Sequence, residues 1–130
     1  MGKGDKYTIG IDFDGTCVEH IYPAVGMDVD GAVDVLRALN SRKHRLILYT
    51  MRSGEKLDAA LRWFRERKIE LWAVNHNPEQ KSWTDSVKVY ADRYIDDAAL
   101  GCPIRFVDGA ERPVVDWVKV RALLEQEEIL

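Results

Sequence analysis

The run Tyr7-Thr8-Ile9-Gly10-Ile11-Asp12-Phe13-Asp14-Gly15-Thr16 begins as an apolar stretch and ends abruptly in two carboxylates, a glycine and a hydroxyl. An apolar run of this length bounded by glycine reads as a buried strand. Placing one carboxylate beside another at the end of such a strand is costly unless a cation or hydrogen bonds offset it. Packing alone gives no reason to accept that cost, so Asp12 and Asp14 are functional candidates. The plain alternative is a capped turn, because Asp-Gly is a common turn pair.

The rest of the chain repeats the arrangement. Residues 17–27 carry Pro23 and Gly26 without a clean period and read as a loop over the end of the first strand. Asp28 or Asp30 is expected to cap a helix to about Arg42, with Ala32, Val33, Leu36 and Leu39 on one face. A second strand, His44 to Thr50, ends in a hydroxyl. Ser53 is the expected N-cap of a helix to about Lys68 that buries Leu57, Ala60, Leu61 and Phe64. Leu71 to Val74 reads as a third strand, followed by the polar loop Asn75 to Gln80. Thr84 to Tyr90 suggests one or two helical turns. Arg93-Tyr94-Ile95 is a fourth strand, closed by Asp96-Asp97, and Ile104 to Val107 a fifth. A last helix, starting between Pro113 and Asp116, is expected to bury Val114, Trp117, Val118, Leu123 and Leu124 in some combination. Trp63, Trp72 and Trp117 are assigned to the core and Trp83 to core or loop.

Strands alternating with amphipathic helices imply βαβ units and an α/β fold: a Rossmann-like three-layer αβα sandwich whose mostly parallel sheet is covered on both faces. With 130 residues, the chain is read as one domain, 1–130. In such a sheet all strand carboxyl ends lie on one edge, where open α/β sheets bind ligands. Asp12, Asp14, Thr50, Asn75, Asp96 and Asp97 all fall at those ends.

Composition bears on what such a site can meet. The net charge is −3 and the acidic and basic residues are interspersed, so no basic stripe argues for nucleic acid. Cys17 and Cys102 lack zinc spacing and read as two reduced thiols. The polar Met1 to Lys6 and the absence of a long apolar run point to a cytoplasmic chain without a membrane partner.

Carboxylates converging where a sheet opens, with few nearby Cys or His, make a hard oxygen-ligand site suited to Mg²⁺. A hydroxyl (Thr50) and an ammonium (Lys88, or Lys81) suit phosphate oxygens. Asp12-Phe13-Asp14-Gly15-Thr16 after a strand, Thr50 closing the second strand, a lysine before the last acidic strand, and Asp96-Asp97 closing it resemble the four motifs of the haloacid dehalogenase-like phosphatases. The resemblance runs through most of the chain, in order.

That resemblance implies a Mg²⁺-dependent hydrolase acting on a phosphomonoester, small or exposed on a larger substrate. Asp12 would be the nucleophile that forms an aspartyl-phosphate, and Asp14 the acid and base, its backbone carbonyl on the metal. Thr50 and Lys88 would hold and neutralise the phosphoryl group. Gly15 and Thr16 would bind substrate. Asp96 would ligate the metal together with Asp12 and Asp14, and Asp97 would act through water or on the lysine.

The segments after Thr16 and after Thr50 are too short to hold a cap domain, so the resemblance implies a capless member whose open site admits large substrates or is covered by another subunit. Specificity would then come from residues 18–27, the loop Asn75 to Gln80, and Arg52, which stands next to Thr50 at a helix start, suited to fork onto phosphate. His20 and His76, in loops on the same edge, are further candidates for touching substrate. His44, at the other end of a strand, is not. Two alternatives stand beside this reading. A receiver-like signalling domain shares the phosphorylated Asp, Thr and Lys but in a different chain order. A catalytically silent phosphate-binding module would not need Asp14.

Overall fold

The computed structural model describes residues 5–130; the part of the polar start at residues 1–4 lies outside the described residues. In chain order the elements are β1 (Thr8–Ile11), α1 (Ala32–Ser41), β2 (Arg45–Leu48), α2 (Gly54–Glu66), β3 (Ala73–Val74), β4 (Arg93–Ile95), β5 (Ile104–Arg105), β6 (Val114–Val115) and α3 (Trp117–Gln126). β1 to β4 form one sheet in the order β3-β2-β1-β4, with every neighbouring pair parallel. β1 is therefore interior, and the acidic ends of β1 and β4 are side by side. The chain is α/β with a mostly parallel central sheet, as the alternating pattern implied.

Register sorts the sheet into two faces. Ile9 pairs with Leu46, and Ile11 with Leu48 and Ile95. These five residues join one core with Val35 and Leu36 of α1, Ala60 and Phe64 of α2, and Trp117 and Leu124 of α3. The opposite face carries Gly10, Ile47, Ala73 and Tyr94, which are also register partners. There Ile47 and Ala73 pack with Val89 and Trp72 in a separate, smaller cluster. All three helices thus lie on one face, and the expectation of helices on both faces is corrected: residues 75–92 cover the other.

The reason is topological and chemical. Moving from β3 back past β2 and β1 to β4 reverses the direction of travel, so a right-handed connection must cross on the face opposite α1 and α2. The crossing segment is polar, with Pro78 and little apolar periodicity, so it cannot sustain a helix. Side chains organise it instead. Buried Gln80 donates from Nε2 to the carbonyls of Ser86 (3.1 Å) and Lys88 (2.7 Å) and accepts from the Tyr90 amide (2.8 Å). Asn77 donates to the Tyr90 carbonyl. Within this segment a single 3-10 turn, Gln80–Ser82, stands where a loop was expected, and the helical turns expected over Thr84 to Tyr90 are absent.

Other boundaries also shift. α1 starts after Gly31, whose φ of 87° puts it in the left-handed region, and not after Asp28 or Asp30. Asp28 instead accepts from the Trp63 indole and is forked by Arg67. Val35 is buried, whereas Val33 packs only partly. β5 leaves the main sheet and pairs antiparallel with β6, so Val114 is a strand residue and not part of the last helix. Asp116 caps α3 by accepting from the Lys119 amide. Val118 is 80% exposed, as Trp83 is at 58%; neither is core. Trp72 is half-buried under the Arg45 guanidinium, 4.3 Å from its ring centre. His44 is buried away from the acidic edge, accepting from the Tyr7 amide and donating to the Ile129 carbonyl. No helix among the described residues is long and apolar enough to cross a membrane.

Replacing Gln80 by Leu keeps the volume but strands two carbonyls and an amide, at about 1–3 kcal/mol for a buried unsatisfied group. Amide hydrogen exchange should show Tyr90 losing protection while the amides of β1 and β2 keep theirs.

Candidate active site

The site grows from the turn that ends β1. Cys17 and Val18 amides fold back onto the Phe13 carbonyl, and the Gly15 amide donates to the Val18 carbonyl at 2.7 Å. Phe13, fully buried, anchors the turn among Trp63, Phe64 and the Arg52 guanidinium. From below, the Trp117 indole donates to the Thr16 carbonyl (2.8 Å) and the Val115 amide to the Gly15 carbonyl (3.0 Å). The small β5–β6 sheet and α3 therefore brace this turn, a role that local sequence does not announce.

Asp12, Asp96 and Asp97 come together so that one oxygen from each lies within 4.8 Å of the others. The Thr16 hydroxyl donates to Asp12 Oδ2 (3.0 Å) and accepts from the Asp97 amide (3.3 Å), linking the ends of β1 and β4. The Ala98 amide holds Asp96 Oδ1 at 2.8 Å. Gly15 sits at φ +83°, and a Cβ on it would stand 2.4 Å from Asp97 Oδ2. Glycine is thus required twice, for the backbone and for the carboxylate lying against it.

Crowding shows in the titration. Burial foremost, then the hydrogen bond to Asp97 and the charge of Asp96, push Asp12 up from the ordinary 3.8 to about 8, against the Thr16 hydroxyl. Asp97 is also raised, chiefly by burial. An all-oxygen donor set that resists ionising together, with room kept for one carboxylate by a glycine, fits a hard divalent cation. Cys17, buried behind the turn, has its thiol raised by burial and by the charges of Asp12 and Asp14 and is inert.

Asp14 does not join the trio through its side chain. Arg52 grips it with Nε to Oδ2 and Nη2 to Oδ1, both at 2.8 Å. The remaining guanidinium donors go to the carbonyls of Pro23, Ala24 and Lys56. With 2% exposure and all five donors used, Arg52 has none left for a phosphate; it positions Asp14 and the 19–27 loop.

Thr50 stands on the rim, its amide donating to Asn75 Oδ1 (2.8 Å) and its hydroxyl accepting from the Arg52 amide. Asn75, with φ 56°, makes that reach from the end of β3. A cleft of about 600 Å³ brings together Asp12, Asp14, Thr50, Asp97, His20 and, unforeseen, Arg112. Arg112 arrives on the β5–β6 connection, whose antiparallel return the sequence pattern did not show. Lys88 lines a second cleft together with Asp12 and Asp96, whereas Lys81 lines neither. His76 is exposed, turns its Nδ1 to the Val74 carbonyl and lines neither cleft.

Against known proteins, a solved structure of a conserved protein from Bacteroides thetaiotaomicron aligns at 37% identity over 94% of this chain and 92% of that one, with a TM-score of 0.77. No protein-family model and no curated protein matches the chain.

Two outcomes test this geometry. Folded Asp12 holds a proton that the unfolded chain releases above 3.8, so its contribution to stability is present below that pH and is lost as pH rises towards about 8. Without divalent metal, the Tm of the wild type should fall relative to Asp12→Asn across that window, and Mg²⁺ should restore it most at the alkaline end. Gly15→Ala should cost about 1–2 kcal/mol from the left-handed backbone alone and weaken cation binding by displacing Asp97, measured by calorimetric titration.

Proposed function

This chain belongs to the same family as that conserved Bacteroides thetaiotaomicron protein, and we propose that it is a capless haloacid dehalogenase-like phosphatase, hydrolysing a phosphomonoester through an aspartyl-phosphate with Mg²⁺. The observation that carries the reading is the meeting of Asp12, Asp96 and Asp97 at the carboxyl edge of a parallel sheet. Thr50 and Lys88 stand in clefts that share Asp12 with this trio.

Asp12, Asp96 and Asp97 would hold the ion, which supplies charge neutralisation for carboxylates and phosphate together. Asp12 attacks phosphorus as the bond to the leaving oxygen breaks, and Asp14 donates a proton to that oxygen. A water then attacks the aspartyl-phosphate while Asp14 takes its proton back, freeing phosphate and regenerating Asp12. Arg52, bonded once to each Asp14 oxygen, fixes the direction in which Asp14 can present its proton. Thr50 and Lys88 orient and neutralise the phosphoryl oxygens. Between Thr16 and α1 the chain makes only the short loop closed by the Glu19 amide on the Met27 carbonyl, which is in keeping with an open, capless site.

The double bond from Arg52 to Asp14 also favours a second reading, a module that binds phosphate without turning it over, since it occupies both oxygens of the acid-base residue.

Purified protein with p-nitrophenyl phosphate separates these readings. The phosphatase reading expects turnover that needs Mg²⁺ and disappears with chelator or in Asp12→Asn. Lys88→Met should lower kcat by roughly 100-fold or more, while Lys81→Met leaves it unchanged. Metal-dependent phosphate binding with no turnover would establish the silent module instead.

A further inference from the structure

The second cleft, of about 350 Å³, opens on the sheet face that carries no helix and reaches Asp12 and Asp96 at one end. It shares Tyr49 with the polar cleft around Arg112 and differs from it in Gly10, Lys88, Val89 and Tyr94. Tyr49 and Tyr94 lie side by side in its lining, ring centres 6.4 Å apart and tilted by 45°, with 41% and 39% of their surfaces exposed. Gly10 forms part of the lining. Resting on the phosphatase reading, we propose that this cleft takes a planar aromatic ring carried by the leaving group, so that the substrates are phosphomonoesters of aryl or heteroaryl-bearing alcohols.

Three features support an aromatic occupant. Tyr94 is fixed before any ligand arrives: its hydroxyl donates to the Val89 carbonyl and accepts from the Ala91 amide at 3.1 Å. The ring also lies close over β1, because a Cβ on Gly10 would sit 3.0 Å from Tyr94 Cδ1. A side chain at position 10 would crowd the ring, so the glycine lets the tyrosine lie against the sheet. A rigid ring with one side exposed can stack without the entropy cost of being ordered. The cleft is also continuous with the reacting group, since Asp12 and Asp96 line both it and the polar cleft. A phosphoryl group at Asp12 can therefore leave its ester oxygen pointing into either; Tyr49 lines both and Tyr22 the polar one, but only this one adds the ring of Tyr94 held flat against the sheet. Lys88 lines the same cleft and offers it a positive charge for the phosphate.

The test uses the full-length protein with Mg²⁺ and two non-hydrolysable ligands of similar size, phenylphosphonate and cyclohexylphosphonate, titrated by calorimetry. The wild type should bind the planar ring about fivefold more tightly, and Tyr49→Leu should abolish that preference while still binding inorganic phosphate. Tyr94→Leu should act in the same way, and Tyr22→Leu, on the polar cleft, should keep the preference; should Tyr94→Leu unfold, the other two variants decide together, since among the described residues no hydrogen bond or ion pair ties the Tyr49 side chain. Equal affinity for the two phosphonates in the wild type, absence of binding by both, or a preference that survives Tyr49→Leu would overturn the aromatic cleft even if p-nitrophenyl phosphate is hydrolysed. A preference lost in Tyr49→Leu, in a protein that turns over no phosphomonoester, would keep the cleft and refute the phosphatase reading.

Discussion

The gathering of Asp12, Asp96 and Asp97, one oxygen of each within 4.8 Å of the others, is the constraint to which the rest of the structure answers, because burial and the neighbouring carboxylates together raise Asp12 to about 8. The chain holds them there with short, local bonds. Thr16 bridges Asp12 to the Asp97 amide, the Ala98 amide fixes Asp96, and Gly15 leaves the space that Asp97 fills. Each of these fastenings belongs to the turn after β1 or the turn after β4. Those turns meet only because β1 and β4 are hydrogen-bonded neighbours.

The turn after β1 is braced from outside as well. Trp117 and Val115 bond to the carbonyls of Thr16 and Gly15, so the end of the chain supports a site built at its beginning. Gly31 takes part in the same contact: a Cβ there would stand 2.9 Å from Trp117 Cβ, and so α1 and α3 can approach only at a glycine. Arg52 does comparable work on the other side, satisfying its buried donors on Asp14 and on three carbonyls. A buried guanidinium without those partners would be strongly destabilising, which is why its geometry is so fully specified.

The two faces of the sheet have different characters. One is a helix-covered core of aliphatic and aromatic side chains. The other is closed by a polar crossing segment held by Gln80 and Asn77, and part of it remains an open aromatic cleft. A site set between a rigid face and an open one has its reacting groups fixed while the space beside them stays accessible.

The sequence by itself determined the parallel sheet and the strand ends on which Asp12, Asp14, Asp96 and Asp97 sit. Those features follow from hydrophobic period and strand direction, which are local. The fold decided that Asp97, and not the side chain of Asp14, joins Asp12 and Asp96. Tertiary structure decided what no local pattern encodes. The helices share one face because the crossing from β3 to β4 reverses direction, and Val114 became a strand because Ile104 to Arg105 offered a partner. Arg52 turned from an apparent phosphate ligand into the partner of Asp14 because burial left its donors to be satisfied by the nearest acceptors. Asp14 itself shows the same limit: its position at the end of β1 was legible from sequence, but what its oxygens touch depended on a residue 38 positions away.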